Sequence, residues 1–359
     1  NMLKSMFCNK VVLVTGHTGF KGSWLSIWLE YLGAKVVGLS FNVPTHPSNF
    51  DASNVGNLVK EYLIDIRDRH AVQSAIEECQ PDFIFHLAAQ SLVGASYDFP
   101  LETIQTNAMG SANILESLRF VDKEIVVIMI TSDKVYDNVE WAWGYRETDR
   151  LGGKDPYSAS KGMAELAIKG YIESFFNKKD SNIRVGVARA GNVIGGGDWS
   201  KNRVVPDCIT AWSNNETLYI RNPNATRPWQ HVLEPLNGYL QLAANLKISN
   251  DFHGNSYNFG PFLNQNYSVG ELVQEMAKYW NNAKWKCVPK INKPLNEAEL
   301  LRLNCDKAMF DLNWSPILQF EESVKMTVEW YKIFYQGRPN SMMDFTLSQV
   351  VDYMNLAKL

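Results

Sequence analysis

The chain has 359 residues, of which 45% are hydrophobic and 20% charged, a composition typical of soluble globular proteins. A net charge of −3 gives no electrostatic case for binding nucleic acid or an anionic membrane surface. No apolar run approaches the roughly 20 residues of a membrane span, and no signal peptide is expected. The five cysteines are odd in number and widely spaced, which predicts neither disulfides nor a metal site and favours a reducing, cytoplasmic environment.

A glycine turn lies near the N-terminus, between a predicted strand and a predicted helix. Residues 11–14 are consecutive apolar residues and predict a strand buried on both faces. Gly16, Gly19 and Gly22 follow at intervals of three, and an amphipathic helical pattern begins at Trp24. Such a turn lets the backbone approach a pyrophosphate, which the free N–H groups of the helix N-terminus attract. The pattern predicts nucleotide binding, with an ordinary strand–helix turn as the alternative.

Strands and helices alternate through the first half of the chain. The alternation predicts an α/β fold with a Rossmann-type doubly wound parallel sheet. We expect a dinucleotide-binding domain over residues 1–190 and a smaller mixed α/β substrate-binding domain over residues 191–359, with residues of about 225–260 returning to the first. The predicted strands are 11–14, 34–40, one ending at 66, 83–90, 125–130 and 183–188, the later helices are 68–79, 106–120, 232–247, 268–281 and 320–335, and the loops are 44–57 and 137–156.

The end of the second predicted strand is where NAD sites place the acidic residue that holds the ribose. Ser40 occupies this point, and neither a carboxylate nor an arginine follows it directly. The stretch therefore leaves the choice between NAD and NADP open. Asp65, at the end of the third strand, is a candidate for the adenine edge, and a surface aspartate is an equal alternative.

Small and polar residues follow two later strands. Ala88 and Ala89 end the strand over 83–90 and leave room for a ligand. The strand over 125–130 is followed by Thr-Ser-Asp-Lys at residues 131–134. Because open α/β sheets bind ligands at the carboxyl ends of their strands, we expect residues 131–134 at the catalytic edge.

Tyr157 and Lys161 lie one helical turn apart on a predicted helix. A phenol has a pKa of about 10, and a nearby ammonium together with a cationic nicotinamide favours the phenolate. Such a tyrosine takes a proton from an alcohol while hydride leaves the same carbon. A solvated Tyr/Lys pair is the alternative, which the glycine turn and the polar strand end make less favourable.

Three motifs together resemble the extended short-chain dehydrogenase/reductase superfamily: the glycine turn at 16–22, the Ala-Ala strand end at 88–89, and Tyr157-x-x-x-Lys161. Ser-Asp-Lys at 132–134 resembles the Thr-Asp-Glu signature of nucleotide-sugar 4,6-dehydratases. The lysine in place of glutamate, with Gly-Gly-Gly-Asp-Trp at 195–199, resembles the branch that acts on CDP-D-glucose.

The resemblance implies a reaction in which NAD takes hydride from C4 of the sugar and later returns it to C6. Tyr157 would remove the 4-OH proton, Ser132 would hydrogen-bond the 4-oxygen, and Asp133 would protonate the departing 6-OH. In relatives a glutamate removes the C5 proton, and Lys134 stands in its place here. Because lysine acts as a base only when neutral, Lys134 either takes the C5 proton or stabilises the enolate while another group takes it.

The resemblance also implies two sets of binding residues. The substrate set is Gln90, Ser132, Asn192, Arg203, Arg227 and Arg302, with the arginines facing a diphosphate. The cofactor set for NAD is Gly16, Thr18, Gly19, Phe20, Lys21, Ser40, Asp65, Ile66, Leu87, Ala88, Ala89, Asn107, Tyr157 and Lys161.

Relatives also pair two helices from each subunit in a four-helix bundle. Tyr171, Ile168 and Met163, with the apolar face of residues 104–118, are the candidates for such an interface, and burial within one chain is the alternative. A homodimer or a tetramer is therefore expected. An epimerase or reductase of the same superfamily and a non-catalytic NAD(P)-binding regulator remain the alternative functions. The acid/base residues after Ser132 favour elimination, and the intact Tyr157 and Lys161 disfavour the regulator.

Overall fold

The computed structural model describes residues 2–177, 181–288, 300–337 and 341–359. Seven parallel strands form the central sheet, in the order β11-β6-β5-β4-β1-β2-β3. The strands are β1 (Val11–Thr15), β2 (Lys35–Ser40), β3 (Lys60–Leu63), β4 (Phe83–His86), β5 (Ile125–Ile130), β6 (Ile183–Ala190), β7 (Val193–Ile194), β8 (Leu218–Ile220), β9 (Thr226–Arg227), β10 (Gln230–His231), β11 (Ser256–Phe259), β12 (Tyr267–Ser268) and β13 (Trp285–Cys287).

Helices cover both faces of this sheet. Two of them are interrupted or extended by π-helical turns, at Gln105–Met109 and Ile172–Phe176. The α-helices are α1 (Met2–Phe7), α2 (Phe20–Tyr31), α3 (Asn49–Ala52), α4 (Arg69–Cys79), α5 (Val93–Asp98), α6 (Pro100–Ile104), α7 (Gly110–Glu116), α8 (Pro156–Tyr171), α9 (Val204–Ser213), α10 (Leu233–Ile248), α11 (Val269–Tyr279), α12 (Asp306–Leu312), α13 (Phe320–Tyr335) and α14 (Met343–Leu356).

A hydrophobic core lies on each face of the sheet because side chains alternate along each strand. Val12 and Val14 of β1 pack with α2 and α10 on one face, whereas Leu13 packs with α4, α7 and α8 on the other. A parallel sheet covered on both faces needs strands that are apolar throughout, which is what the sequence of β1 provides. The prediction of a doubly wound Rossmann-type sheet is confirmed.

Several predicted elements agree closely with the structure. The first, second and fifth strands of the sheet were each located to within one residue, and the helices at 68–79, 232–247, 268–281 and 320–335 were located to within two. All five cysteines are free, as their spacing predicts. Within the described ranges, no helix combines the length and apolar content that a membrane crossing requires.

Five predictions about local structure were wrong. The strand predicted over 83–90 ends at His86, and the strand predicted to end at 66 ends at Leu63. The loop over 44–57 contains α3, which Ser48 caps by accepting the N–H of Asp51 at 3.0 Å, because serine also favours helix N-termini. The helix predicted at 106–120 begins at Pro100 and passes through a π-helical turn before α7. Ile168 is 1% exposed and belongs to the core, so it cannot serve a subunit interface.

The second half of the chain adds to the sheet and builds a smaller layer beyond it. α10 packs on the sheet, and β11 joins its edge beside β6, with Ser256 opposite Val187. Two parallel pairs, β7 with β10 and β8 with β13, and the antiparallel pair of β9 with β12 lie outside the main sheet. The division into domains at residue 190 stays a prediction.

A buried carboxylate joins α10 to the C-terminal segments. Glu234 is 1% exposed and accepts hydrogen bonds from the backbone N–H groups of Ile317 and Leu318 and from the hydroxyl of Tyr353. Burial raises the pKa of Glu234 from 4.5 to about 7. Because the pKa of Glu234 is higher in the folded than in the unfolded state, the protonated carboxyl contributes its full stabilisation of the fold below the unfolded-state pKa. That contribution is lost as the pH rises through about 7.

Glu234→Gln keeps a neutral side chain of the same shape at every pH. We therefore expect the free energy of unfolding of the variant to increase relative to that of the wild type as the pH rises and Glu234 ionises. Between about pH 5 and about pH 8 the gain should be roughly 2 kcal/mol. Denaturant unfolding at both pH values measures it, with the surface change Glu329→Gln as control. An equal difference at the two pH values would contradict the titration of Glu234.

Candidate active site

The carboxyl end of β5 places two polar side chains next to each other. Ser132 donates a hydrogen bond to Asp133 Oδ1 at 3.0 Å and accepts the backbone N–H of Lys134 at 3.2 Å. Asp133 is 2% exposed, whereas the side chain of Lys134 is partly buried. The strand therefore ends in a fixed hydroxyl and a buried carboxyl, as residues 131–134 predict.

The carboxyl of Asp133 lies directly against the end of β6. Its Oδ2 accepts a hydrogen bond from Asn192 Nδ2 at 3.0 Å. A Cβ at Gly191 would lie 2.0 Å from the same carboxyl, so a side chain at residue 191 would displace the Asp133 carboxyl. Asn192 adopts a left-handed φ of 53°, which turns the chain away immediately after this contact. The predicted substrate residue Asn192 thus holds the predicted acid.

Tyr157 and Lys161 face the same edge from the first turns of α8. The helix begins where the carboxylate of Asp155 accepts the backbone N–H of Ser158 at 2.9 Å. Tyr157 and Lys161 are each 7% exposed. Burial raises the pKa of Tyr157 to about 12, although a hydrogen bond with Ser132 and the charge of Arg203 lower it. The expectation that Lys161 and a cationic nicotinamide together favour the phenolate stays a prediction, since in the chain alone burial outweighs the neighbouring charges.

Sequence reasoning missed the ion pair that fixes α8. Glu165 binds Arg189 through two hydrogen bonds of 2.8 Å and accepts a third from Thr131 at 2.6 Å. Burial lowers the pKa of Lys161 to about 8, and the charge of Glu165 opposes this effect. The available signal was an acidic residue four positions after Lys161, on the same inward face of the helix.

The glycine turn is packed backbone against backbone. Gly16 has φ +75°, and a Cβ there would lie 2.8 Å from the backbone of Ala88. A Cβ at Gly22 would lie 2.0 Å from the carbonyl oxygen of Gly16, so α2 sits directly on the turn. Gly19 precedes α2 without a side-chain cap, which leaves the first N–H groups of the helix available to an anion.

Beside the turn, Ser40 replaces the expected carboxylate and is hydrogen-bonded within the protein. Its hydroxyl lies 2.9 Å from His17 Nδ1, and His17 Nε2 lies 2.8 Å from Glu61 Oε1 on β3. Thr18 donates to the carbonyl of Asn42 at 2.7 Å. Burial lowers the pKa of His17. These bonds tie the turn to the ends of β2 and β3.

Lys21 lies in the first turn of α2, within electrostatic range of Lys161 and Asp133. Burial, together with the charges of Arg203 and Lys161, lowers the pKa of Lys21 to about 8, and Asp133 opposes the shift. Asp198 binds Arg203 at 2.9 Å. The glycine turn and the start of α9 therefore bring two cations to the edge that carries Asp133.

Asn107 lies in the π-helical turn between α6 and α7 and connects the loop after β4 to α8. Its amide accepts the N–H of Gln90 at 2.8 Å and donates to the carbonyl of Gln90 at 3.0 Å and to Ser160 at 2.8 Å. The Gln90 side chain donates to Leu92 and to Thr103, so it holds its own loop. A π-turn at such a position is common near functional sites.

The remaining residues of the predicted cofactor and substrate sets lie after the ends of β3 and β4, at the start of α2 and in the second half of the chain. The carboxylate of Asp65 follows β3 and is held by Arg67, and Ile66 packs against Gly110. Phe20 opens α2, and Leu87 and Ala89 follow β4, with the N–H of Leu87 bonded to the carbonyl of Thr15. Arg227 lies on β9, and Arg302 has a buried Nε with no hydrogen-bond partner among the described residues.

Known proteins resemble the chain across nearly its whole length. A family model described as GDP-mannose 4,6 dehydratase matches residues 13–327. The CDP-glucose 4,6-dehydratase of Salmonella typhimurium is 43% identical over 356 residues, covering 98% of each chain. The dTDP-D-glucose 4,6-dehydratase of Homo sapiens is 25% identical over 333 residues, covering 90% of each.

Solved structures share the fold. Pal from Bacillus thuringiensis has a TM-score of 0.77 at 26% identity, covering 90% of this chain and 99% of that chain. The UDP-glucose 4-epimerase of Thermus thermophilus, solved in complex with NAD, has a TM-score of 0.74 at 25% identity, with the same coverage.

The parallel sheet, the glycine turn and the Tyr157/Lys161 helix define the extended type of short-chain dehydrogenase/reductase. Within that class, the chain belongs to the family of GDP-mannose 4,6-dehydratase.

Proposed function

We propose that this chain is a nucleotide-sugar 4,6-dehydratase that converts CDP-D-glucose into CDP-4-keto-6-deoxy-D-glucose, with NAD regenerated in each turnover. The observation that carries the proposal is the meeting of Ser132, Asp133 and Tyr157 at one sheet edge beside the glycine turn. The identity of 43% to the Salmonella CDP-glucose 4,6-dehydratase supports the substrate. The proposal places the enzyme in the cytoplasm, where its five unpaired thiols stay reduced.

The glycine turn fits a dinucleotide. The uncapped N-terminus of α2, after Gly19, offers N–H groups to the pyrophosphate, and Gly16 allows the backbone to approach it. NAD held there would supply the hydride chemistry of the reaction, at C4 and then at C6 of the sugar. Ala88 and Asn107 complete the cofactor side of the edge, with the other residues of the predicted cofactor set: Thr18, Phe20, Lys21, Ser40, Asp65, Ile66, Leu87, Ala89, Tyr157 and Lys161.

Tyr157 acts as the base toward the 4-hydroxyl, and Ser132 orients the same oxygen. A phenol with a pKa of about 12 keeps its proton at neutral pH, so proton transfer needs additional positive charge beside the ring. The pKa of about 12 already includes the lowering by Arg203, so the additional charge would come from the bound cofactor. Lys161, one turn further along α8, contributes to the positive surroundings of the bound cofactor.

Asp133 protonates the departing 6-hydroxyl, and Lys134 removes the C5 proton. The bond from Asn192 and the contact with Gly191 fix the carboxyl, which supports its role as a positioned acid. Lys134 is the next residue along the chain and is partly buried. Stabilisation of the enolate is the alternative role for this amine.

The diphosphate of the substrate is bound by arginines. Arg203 lies beside Tyr157, and the buried Nε of Arg302 is left for an acceptor that the described residues do not supply. Arg227 precedes Trp229, whose indole N–H is bonded to the carbonyl of Tyr267. The arginines and the chemical residues together define a site for an anionic sugar.

Two chains assemble through α8 and the helices packed beside it. Met163 and Leu166 on α8 are 46% and 61% exposed, and Met109 and Leu101 on the neighbouring helix are 56% and 74% exposed. Tyr171 instead donates a hydrogen bond to Glu116 within the chain. Apolar side chains on adjacent helices form a face that a second copy would cover as a four-helix bundle.

Tyr157→Phe removes the base but keeps the ring, so turnover of CDP-glucose should fall by about a thousandfold because general base catalysis is lost. The assay follows the strong ultraviolet absorbance that a 4-keto sugar develops in alkali. Folding and NAD binding should stay at the wild-type level. Tyr171→Phe, on the same helix, serves as the matched control, and wild-type turnover by Tyr157→Phe would refute the role.

Lys134→Met removes the amine that acts at C5 and leaves the C4 chemistry in place. We expect an amount of sugar stoichiometric with the enzyme to lose two hydrogens while retaining its 6-oxygen. Mass spectrometry of quenched mixtures measures this species. Lys169→Met, at an exposed position of α8, is the control, and normal yields of 6-deoxy product from Lys134→Met would exclude Lys134 from the elimination.

Leu166→Lys places a charge in the proposed dimer face, so the dimer should dissociate because an unpaired charge cannot be buried there. Sedimentation velocity measures the mass in solution. Phe310→Lys alters a residue that is 90% exposed on α12 and should leave the dimer intact. A monomeric wild type, or an unchanged dimer for Leu166→Lys, would argue against this assembly.

A further inference from the structure

The Gly-Gly-Gly-Asp-Trp segment at 195–199 is held rigidly between α2 and α13. The indole of Trp24 donates to the carbonyl of Gly196 at 2.9 Å. The hydroxyl of Tyr331 accepts the N–H of Asp198 at 3.0 Å and donates to its carbonyl. Trp199 packs against the aromatic rings of α13. The backbone of Asp198 is therefore fixed on both sides.

The glycines make this close packing possible. A Cβ at Gly196 would lie 2.0 Å from the ring of Trp330. Gly197 has φ +84°, and a Cβ there would lie 2.4 Å from the side chain of Asn49. A segment without side chains thus lies flat against two helices, and the first residue after it that carries a side chain is Asp198.

The carboxylate of Asp198 uses both oxygens. Its side chain is 6% exposed, Oδ1 accepts the N–H of Ser200 at 2.9 Å, and Oδ2 accepts Nη1 of Arg203 at 2.9 Å. The side chain of Arg203 is 36% exposed. Because a guanidinium has five N–H donors, one bond to Asp198 fixes Arg203 and leaves donors for a second acceptor.

The segment that carries Asp198 begins beside the first residue of α2, where a Cβ at Gly195 would lie 3.0 Å from the ring of Phe20. The charge of the Arg203 guanidinium lowers the pKa of Tyr157 and that of Lys21. Tyr157 acts on the sugar, so a cation beside it is close to the sugar end of the diphosphate rather than to the nucleoside end. A planar arginine held at this position suits a phosphate oxygen.

We propose that Asp198 is a positioning residue, whose buried carboxylate orients Arg203 toward the phosphate that is bonded to the sugar. The inference rests on the proposed function and extends it to a residue that touches neither sugar nor cofactor. Asp198→Asn keeps the shape of the side chain and the oxygen that accepts the N–H of Ser200. It replaces Oδ2 with an amide nitrogen, which donates and cannot accept a hydrogen bond from the guanidinium of Arg203. Arg203 then loses its anchor while the fold of the segment is retained.

The test measures binding of CDP and CMP by calorimetry to the full-length, NAD-supplemented protein. The variants are Asp198→Asn, Arg203→Ala and the double variant. Asp149→Asn, which alters another Asp–Arg pair of 2.9 Å, with Arg146, is the matched control. Kinetics with CDP-glucose give KM and kcat separately.

We expect Asp198→Asn to weaken CDP binding and raise KM about tenfold, with kcat within about threefold of the wild type and CMP binding nearly unchanged, because CMP lacks the second phosphate. When Arg203 is already replaced by alanine, adding Asp198→Asn should change CDP binding and KM less than twofold, since Asp198 acts on the phosphate only through Arg203. The control should behave as the wild type.

The inference is overturned if Asp198→Asn leaves CDP binding within twofold of the wild type. It is also overturned if CMP and CDP weaken equally, or if the full effect persists without Arg203, because a structural role would produce those results. Should the wild type fail to turn over CDP-glucose, the proposed function fails. In that case, the same variants are tested with whichever of UDP, dTDP or GDP the wild type binds. If the wild type binds none of these nucleotides, the inference is also overturned.

Discussion

A buried ion pair connects the three elements that carry the chemistry. Arg189 on β6 and Glu165 on α8 have side chains that are each 4% exposed, and Thr131 at the end of β5 donates to the same carboxylate. Removing one member of such a pair costs about 3–5 kcal/mol, because the other charge is left buried. The helix and the two strands therefore keep one relative position, and in that position Tyr157 meets Ser132.

The site places three cations within electrostatic range of one another. Burial lowers the pKa values of Lys21 and Lys161 to about 8, and the charges of Arg203 and Lys161 both act on Lys21. Cations that repel one another in a confined space bind anions well, because an anion removes the repulsion and gains several charge-assisted hydrogen bonds. The composition of the edge thus agrees with a ligand that carries phosphates.

Those features of the fold and of the candidate site that short sequence patterns determine could be predicted from the sequence. The glycine spacing, the apolar strands and the pairing of Tyr157 with Lys161 indicate the sheet and its reactive edge, because each depends on neighbours within a few residues. The ion pair of Glu165 with Arg189 and the anchoring of Arg203 by Asp198 depend on packing between distant segments. The same is true of α14, which a weak amphipathic pattern did not reveal, and of α3, whose composition is also that of a loop.

The contact of Gly22 with the carbonyl of Gly16 has a consequence for how the enzyme can change. The shape of the turn is set by main-chain atoms at Gly16 and Gly22, and the buried side chains of His17 and Thr18 bond it to the ends of β2 and β3. Lys21 lies in the first turn of α2, directly after the glycine turn, and also shares the electrostatic surroundings of Asp133. A substitution that retunes dinucleotide affinity at residue 21 would therefore also alter acid–base chemistry on the sugar, and the two properties cannot evolve independently through that residue.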